Sequence, residues 1–210
     1  MKKLRELSLF FPAYNEQENI ENTVEKAIPV LSQVAEKYEL IIVNDGSKDN
    51  TGKIAAKLAQ KYPFISVITH NPNRGYGGAV KSGLYHSKYE WIVFTDSDGQ
   101  FDFSEVVKFI EKQKETGADL VIGYYLKRAV SPIVIFTSKL WEFLVFFLFG
   151  LKVTDTDCGF KMIRKEVVEK IPKLEAERGP FITSEFLIKA KKAGFKFAEV
   201  GVNHYPRKGG

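Results

Sequence analysis

The chain has 210 residues, 44% of them hydrophobic and 27% charged, with a single cysteine and a formal net charge of +5. A chain of this length buries roughly 70% of its unfolded surface, so its stability requires no staples, and Cys158 alone excludes an intramolecular disulfide or a multi-cysteine zinc site. The charge favours acidic partners: phosphorylated small molecules, anionic lipid or nucleic acid.

Residues 1–6 are basic, but the apolar stretch after them meets Pro12 at once, unlike an export signal, and a cytoplasmic setting is expected. That stretch predicts a strand over 7–11, followed by PAYNE at 12–16 and a helix over 16–37. A strand over 40–44 runs into DGS at 45–47 and a helix over 51–61. A strand over 65–69 leads through NPNRGYGG to a helix over 77–86, and a strand over 91–95 leads through DSDGQ to a helix over 104–116. A fifth strand is expected over 120–123. Past 125 the rhythm weakens into an apolar helix over 140–151, the stretch DTDCGFKMIR at 155–164, a helix over 183–193 and a strand over 195–202.

Near-continuous apolar strands alternating with helices predict an α/β, Rossmann-like fold, with a mostly parallel central sheet covered by helices on both faces. Residues 1–210 are read as one domain, with a ligand-binding half at 1–125 and a second half at 126–210 that completes it. Ligands in such sheets bind beyond the carboxyl ends of the strands. PAYNE, DGS and DSDGQ all fall there.

In DSDGQ, an extended chain sends Asp96, Asp98 and Gln100 to one side. Two carboxylates and an amide oxygen suit a hard divalent ion, Mg2+ or Mn2+, with substrate phosphates completing the shell. The plain alternative is a turn after a strand. An EF-hand is excluded because its sixth position would be Phe101. Asp45, directly at a strand end, is placed to accept a hydrogen bond from a base edge or ribose. Gly75, Gly77 and Gly78 precede a helix, where backbone N–H groups would face an anion, or they serve only close packing. The segment fits neither a P-loop nor a dinucleotide fingerprint. The apolar 140–151 segment, flanked by Lys139 and Lys152, suits either a core helix or an interfacial helix on anionic lipid.

Taken in order, FPAYNEQENI, IIVNDGSKDNT, NRGYGGAVKSGL, VFTDSDGQFD, VIGYYLKR, DTDCGFKMIR and HYPRK resemble the family 2 glycosyltransferases over nearly the whole chain. Within that family the resemblance is to dolichyl-phosphate mannose or glucose synthases and their polyprenyl-phosphate relatives. It implies a GT-A fold, a nucleotide diphosphate sugar donor such as GDP-mannose or UDP-glucose, a divalent metal, and inversion at the anomeric carbon. It assigns Pro12, Ala13, Tyr14, Glu16 and Ser97 to the nucleotide pocket, Asp45 to the base or ribose, and Asp96, Asp98 and Gln100 to the metal. Arg128 and Arg207 fall where basic residues approach the transferred phosphates.

The acceptor implied is a polyprenyl (dolichyl) phosphate, not a nucleic acid, at the cytosolic face of a membrane touched peripherally through 140–151. An ionised phosphate, with a pKa near ~6, attacks without a strong general base. A sugar hydroxyl would instead need a carboxylate, for which Asp157 is the candidate and Asp155 the weaker alternative. Asp157 and Cys158 stand where typical mannose synthases carry small hydroxyl residues, which leaves the sugar and the acceptor open. Two other classes compete. FTDSDG resembles the aspartyl-nucleophile segment of haloacid-dehalogenase-type phosphohydrolases, although half the strands precede it here. A binding module without turnover would keep the fold.

Overall fold

The computed structural model describes residues 2–126, 141, 144–179 and 181–207. Among these residues seven strands form one sheet. They are β1 (Leu4–Ala13), β2 (Ala35–Asn44), β3 (Ile65–Thr69), β4 (Trp91–Phe94), β5 (Leu120–Tyr125), β6 (Lys161–Arg164) and β7 (Phe197–Val202), in the spatial order β3-β2-β1-β4-β6-β5-β7. β6 runs antiparallel to both β4 and β5, and the other pairings among the described residues are parallel. The mostly parallel α/β sheet expected from the apolar strand rhythm is therefore present, with one reversed strand inserted near its middle.

The helices are α1 (Ile20–Val34), α2 (Thr51–Lys61), α3 (Gly75–His86), α4 (Val106–Thr116), α5 (Lys165–Lys170) and α6 (Phe181–Lys192), and a 3-10 turn (Phe103–Glu105) precedes α4. Helices cover both faces because adjacent strand residues alternate between them. Phe11 joins the core beneath α1 and α4, whereas Phe10 faces the core beneath α3 and α6. Phe10 stacks on Phe94 at 5.0 Å, and Gly83 of α3 lies against its ring so closely that a Cβ there would come within 2.2 Å.

Two expectations need correction. The helix anticipated over 16–37 covers only Ile20–Val34, because Ala35 onward pairs in register with β1, from Leu4↔Ala35 to Ala13↔Asn44. Helical periodicity could not anticipate that long-range pairing. The 155–164 stretch contains β6, followed by the short α5. Its four residues KMIR carry a lysine into the interior, which hides the strand from any apolar count.

The 140–151 segment divides by face. Residues 144–149 are helical; Val145 and Leu151 are buried in the core, while Leu144, Phe146, Phe147, Leu148 and Phe149 are 41–75% exposed. Trp141 is half-buried, its indole N–H donating to Ser184 Oγ at 3.0 Å and its ring meeting Phe181 edge-on. It packs on α6 and does not stand free. Lys127, Arg128, Lys139, Leu140, Glu142 and Phe143 lie outside the described residues. No described helix is long and apolar enough to cross a membrane.

Candidate functional site

The strand β1 has β2 on one side and β4 on the other. The chain therefore leaves the carboxyl ends of these three neighbours at one edge, the usual place for a ligand in such sheets. A cavity of about 500 Å³ opens there. Pro12, Ala13, Tyr14, Glu16, Asp45, Asp96, Ser97 and Asp98 all line it, so the side chains expected around a nucleotide are brought together. Asn73, Gly75, Tyr76 and Ala79, from the start of α3 and the turn before it, complete the wall.

Asp45 is buried and committed to its own chain. Its Oδ1 meets His70 Nδ1 at 2.6 Å and accepts from the Arg74 N–H at 2.9 Å, and its Oδ2 accepts from the Gly75 N–H at 2.8 Å. Its backbone carbonyl accepts from Asn73 Nδ2 at 2.6 Å. Of the four lone-pair positions on a carboxylate, one on Oδ2 is left for a ligand. The glycines after it serve packing. The Gly75 N–H is taken by Asp45, the Gly78 N–H donates to the Glu177 carbonyl at 2.8 Å, and a Cβ on Gly77 would fall 2.7 Å from that same carbonyl oxygen. The anion-cradle reading of these N–H groups is thus corrected for Gly75 and Gly78: the segment from Ala176 to Glu177 occupies the space.

Asp96 and Asp98 are held differently. Asp96 Oδ1 accepts from the Tyr76 hydroxyl at 3.0 Å. Burial, reinforced by the negative charge of Asp98, pushes the Asp96 carboxyl up to about 6. Desolvation also raises Glu16, with Asp98 again adding repulsion, although Asn19 Nδ2 and the Arg207 guanidinium donate to its carboxylate at 2.9 and 2.8 Å. Gly159 lies so close that a Cβ there would be 2.2 Å from Asp96 Oδ2. The cavity therefore holds carboxylates that repel one another. Among the described residues no group of three or more His, Cys, Asp or Glu side chains forms a ready metal cage. Two crowded carboxylates nevertheless fit a hard divalent ion of the kind that takes one or two protein carboxylates and fills its shell with substrate phosphates.

Gln100 departs from the extended geometry. Gly99 has φ 76°, and the Gln100 N–H turns back to Asp98 Oδ1 at 3.0 Å. The Gln100 amide instead donates to the Tyr205 carbonyl at 2.9 Å, and the Tyr205 N–H returns a bond to the Gln100 carbonyl at 2.9 Å. This pair straps the C-terminal segment over the loop, with His204 packed against the rings of Phe101 and Tyr125 and Arg207 delivered to Glu16.

The 155–161 stretch borders Asp96. Asp155 is buried, its Oδ1 accepting the N–H groups of Asp157 at 2.8 Å and Cys158 at 3.1 Å, which fixes it as a turn-former. Asp157 is half-buried. Lys161 is fully buried, donating to the carbonyls of Cys158 and Thr156. Burial lowers its pKa against the opposing pull of Cys158, Asp155, Asp157 and Asp96. Tyr76 and Lys161 escaped the sequence reading. Tyr76 sat inside a glycine run read only for its backbone, and Lys161 sat in a stretch read only for Asp155, Asp157 and Cys158. Arg128 lies outside the described residues.

Residues 8–172 match the family described as glycosyl transferase family 2. The chain is 36% identical over 217 residues to the dolichyl-phosphate beta-glucosyltransferase of Dictyostelium discoideum, a match covering 94% of this chain and 65% of that protein. It is 32% identical to the protein of the same name from Homo sapiens, over 95% of this chain and 67% of the relative. The chain thus spans about two thirds of the length of these relatives. Among solved structures, glucosyl-3-phosphoglycerate synthase from Mycobacterium tuberculosis in complex with Mn2+, UDP and phosphoglyceric acid superposes with a TM-score of 0.74 at 21% identity, covering 98% of this chain and 72% of that one. That likeness concerns the fold.

Proposed function

The chain belongs to glycosyl transferase family 2, and from that membership we propose that it transfers glucose, with inversion, from a nucleotide diphosphate donor of the UDP-glucose type to a polyprenyl phosphate. The observation that carries the proposal is the crowding of Asp96 and Asp98 in a cavity at the carboxyl edge of the sheet. A carboxylate raised by burial and by the negative charge of a neighbouring carboxylate is stabilised by a cation placed beside the pair. The glucosyl and dolichyl choices are supported by the names of the curated relatives, and the uridine choice by the UDP held in the structural neighbour. A β-linked product from an α-linked nucleotide sugar requires a single inverting displacement.

Asp96 and Asp98 would hold Mg2+ or Mn2+, which when bound supplies Lewis-acid stabilisation of the departing diphosphate. Pro12, Ala13, Tyr14 and Ser97 shape the nucleotide end, and Asp45 offers its remaining Oδ2 lone pair to the base or ribose. Tyr76 orients Asp96 through the 3.0 Å bond. The 203–207 strap presents Arg207 at the mouth, where its guanidinium, exchanged from Glu16, neutralises the acceptor phosphate; Arg128 is proposed for the same charge. Gln100 holds that strap and is a weaker candidate ligand than the two aspartates. The exposed face formed by Phe146, Phe147, Leu148 and Phe149 would enter the boundary of a membrane, at its cytosolic side, with Lys192 at 5.4 Å over the Phe149 ring facing anionic headgroups.

A second reading keeps the donor and replaces the acceptor by a sugar hydroxyl, with Asp157 as the base. It is favoured by one contrast: Asp155 spends Oδ1 on two backbone N–H groups and is buried, whereas Asp157 is partly open to solvent. A panel of nucleotides and nucleotide sugars with and without Mn2+, read by thermal shift and then by transfer to polyprenyl phosphate, tests both. A metal-dependent shift with a uridine nucleotide and transfer to the lipid support the first reading. Transfer only to a soluble hydroxyl acceptor, abolished by Asp157→Asn, supports the second. No shift with any nucleotide overturns both.

A further inference from the structure

We propose that His70 is a positioning residue for the donor cavity: its imidazole sets the Asp45 carboxylate, and through it the turn from Asn73 to Gly75 that forms one cavity wall. This rests on the glucosyl-transfer reading only where a donor assay is used.

His70 directly follows β3 and is buried. Nδ1 lies 2.6 Å from Asp45 Oδ1, and Nε2 lies 2.8 Å from Ser82 Oγ. Two backbone N–H groups already donate to the Asp45 carboxylate, so the carboxylate accepts at every contact and Nδ1 carries the hydrogen. In the neutral ring Nε2 then accepts the Ser82 hydroxyl. One imidazole thereby joins the ends of β2 and β3 to α3 at two heights, the first turn through Asp45 and a later turn through Ser82.

The order Asp45, His70, Ser82 has the connectivity of a hydrolytic triad. It does not work as one. Ser82 is buried within α3 and does not line the cavity, so no substrate reaches its hydroxyl. The functional end of the chain is Asp45, which lines the cavity together with Asn73 and Gly75. Those two residues are held to it by the Asn73 Nδ2 bond to the Asp45 carbonyl and by the Gly75 N–H bond to Oδ2. Without the Nδ1 donor the carboxylate keeps only its two backbone donors, and the acceptor shared by the Arg74 and Gly75 amides is less firmly fixed.

The test uses the different reach of two amides. In asparagine the side-chain nitrogen sits where Nδ1 sits, one bond beyond Cγ, so His70→Asn restores the donor to Asp45. In glutamine it sits nearer to Nε2, so His70→Gln keeps the Ser82 contact and loses the Asp45 one. The two variants are similarly polar, which keeps the comparison informative where His70→Leu fails to fold. Amide hydrogen exchange at Arg74 and Gly75 in the ligand-free protein is the first readout: protection is expected to fall about tenfold in His70→Gln and to stay near wild type in His70→Asn. The second readout is steady-state kinetics with UDP-glucose and Mn2+. KM for the donor is expected to rise about tenfold in His70→Gln with kcat little changed, because the contact is made equally in ground and transition states. Equal behaviour of the two variants, or a fall in kcat with KM unchanged, overturns the proposal. If the wild-type protein shows no turnover, the transferase reading fails, and amide exchange still decides the role of His70.

Discussion

Two acidic strand ends lie across one cavity and are treated in opposite ways. At the end of β2, Asp45 is surrounded by donors: His70 and the N–H groups of Arg74 and Gly75. Beyond the end of β4, Asp96 has Tyr76 as its side-chain hydrogen-bond donor, with Asp98 pushing it toward protonation. The first carboxylate completes the fold, and the second is the one proposed to take a cation. A buried polar group satisfied by its own chain stabilises that chain, whereas one kept short of partners stores binding energy for a ligand.

The largest effect that tests this contrast is expected from Asp98→Ala. Removing one of two carboxylates takes away several kcal/mol of charge stabilisation on the departing diphosphate, so transfer should fall by roughly 10³-fold. The Mn2+-dependent thermal shift with nucleotide should vanish with it, while the melting temperature of the ligand-free protein changes little. Retained metal-dependent binding would remove Asp98 from the cation site and leave the contrast without its second half.

Asp45→Ala is expected to act on the fold itself. It orphans the imidazole N–H and the Arg74 N–H and leaves the Gly75 N–H only its bond to Asn73 Oδ1, at about 1–3 kcal/mol for each one left buried and unpaired. With partial relaxation, a loss of about 2–4 kcal/mol should lower Tm by roughly 5–15 °C for a chain of this size. Differential scanning calorimetry checks it. A variant as stable as wild type would show that Asp45 is spent on the ligand and not on α3, reversing its side of the comparison.

Much of this was legible in the residues. The apolar runs marked six of the seven strands, because fully buried parallel strands are hydrophobic at nearly every position. PAYNE, DGS and DSDGQ identified the cavity wall, because turn residues after such strands have one edge to occupy. β6 was missed because Lys161 enters the interior capped by the carbonyls of Thr156 and Cys158, a satisfaction that only the folded chain supplies. The roles of Asp45 and Gln100 were hidden for a related reason. Their partners His70 and Tyr205 lie 25 and 105 residues away, beyond any local spacing rule.

The stored repulsion at Asp96 also predicts a pH dependence. The folded protein takes up a proton on Asp96 at about 6, against an ordinary value of 3.8, so between these values the folded state binds more protons than the unfolded one. Stability contributed by this group is therefore greatest below about pH 4 and is lost as pH rises through about 6. Asp96→Asn, which mimics the protonated form without its titration, should raise the Tm of the ligand-free protein at pH 7 by roughly 2–4 °C and flatten its Tm between pH 5 and 7 relative to wild type. An unchanged pH profile would mean that Asp96 is well solvated and under no strain.

The smallest effect concerns Cys158, which borders the same carboxylate. Burial pushes its thiol up to about 12, with Asp155 and Asp96 adding repulsion against the opposing pull of Lys161. Only the thiolate attacks an alkylating reagent. Iodoacetamide should therefore leave the native protein unlabelled at pH 8 and modify it once urea has unfolded the chain, as mass spectrometry of the intact protein would read. The outcome bears on Asp96 as well, since one dry wall raises both groups. Rapid labelling of the native protein would mean that water reaches this edge of the cavity, and the burial that raises the Asp96 carboxyl would be lost.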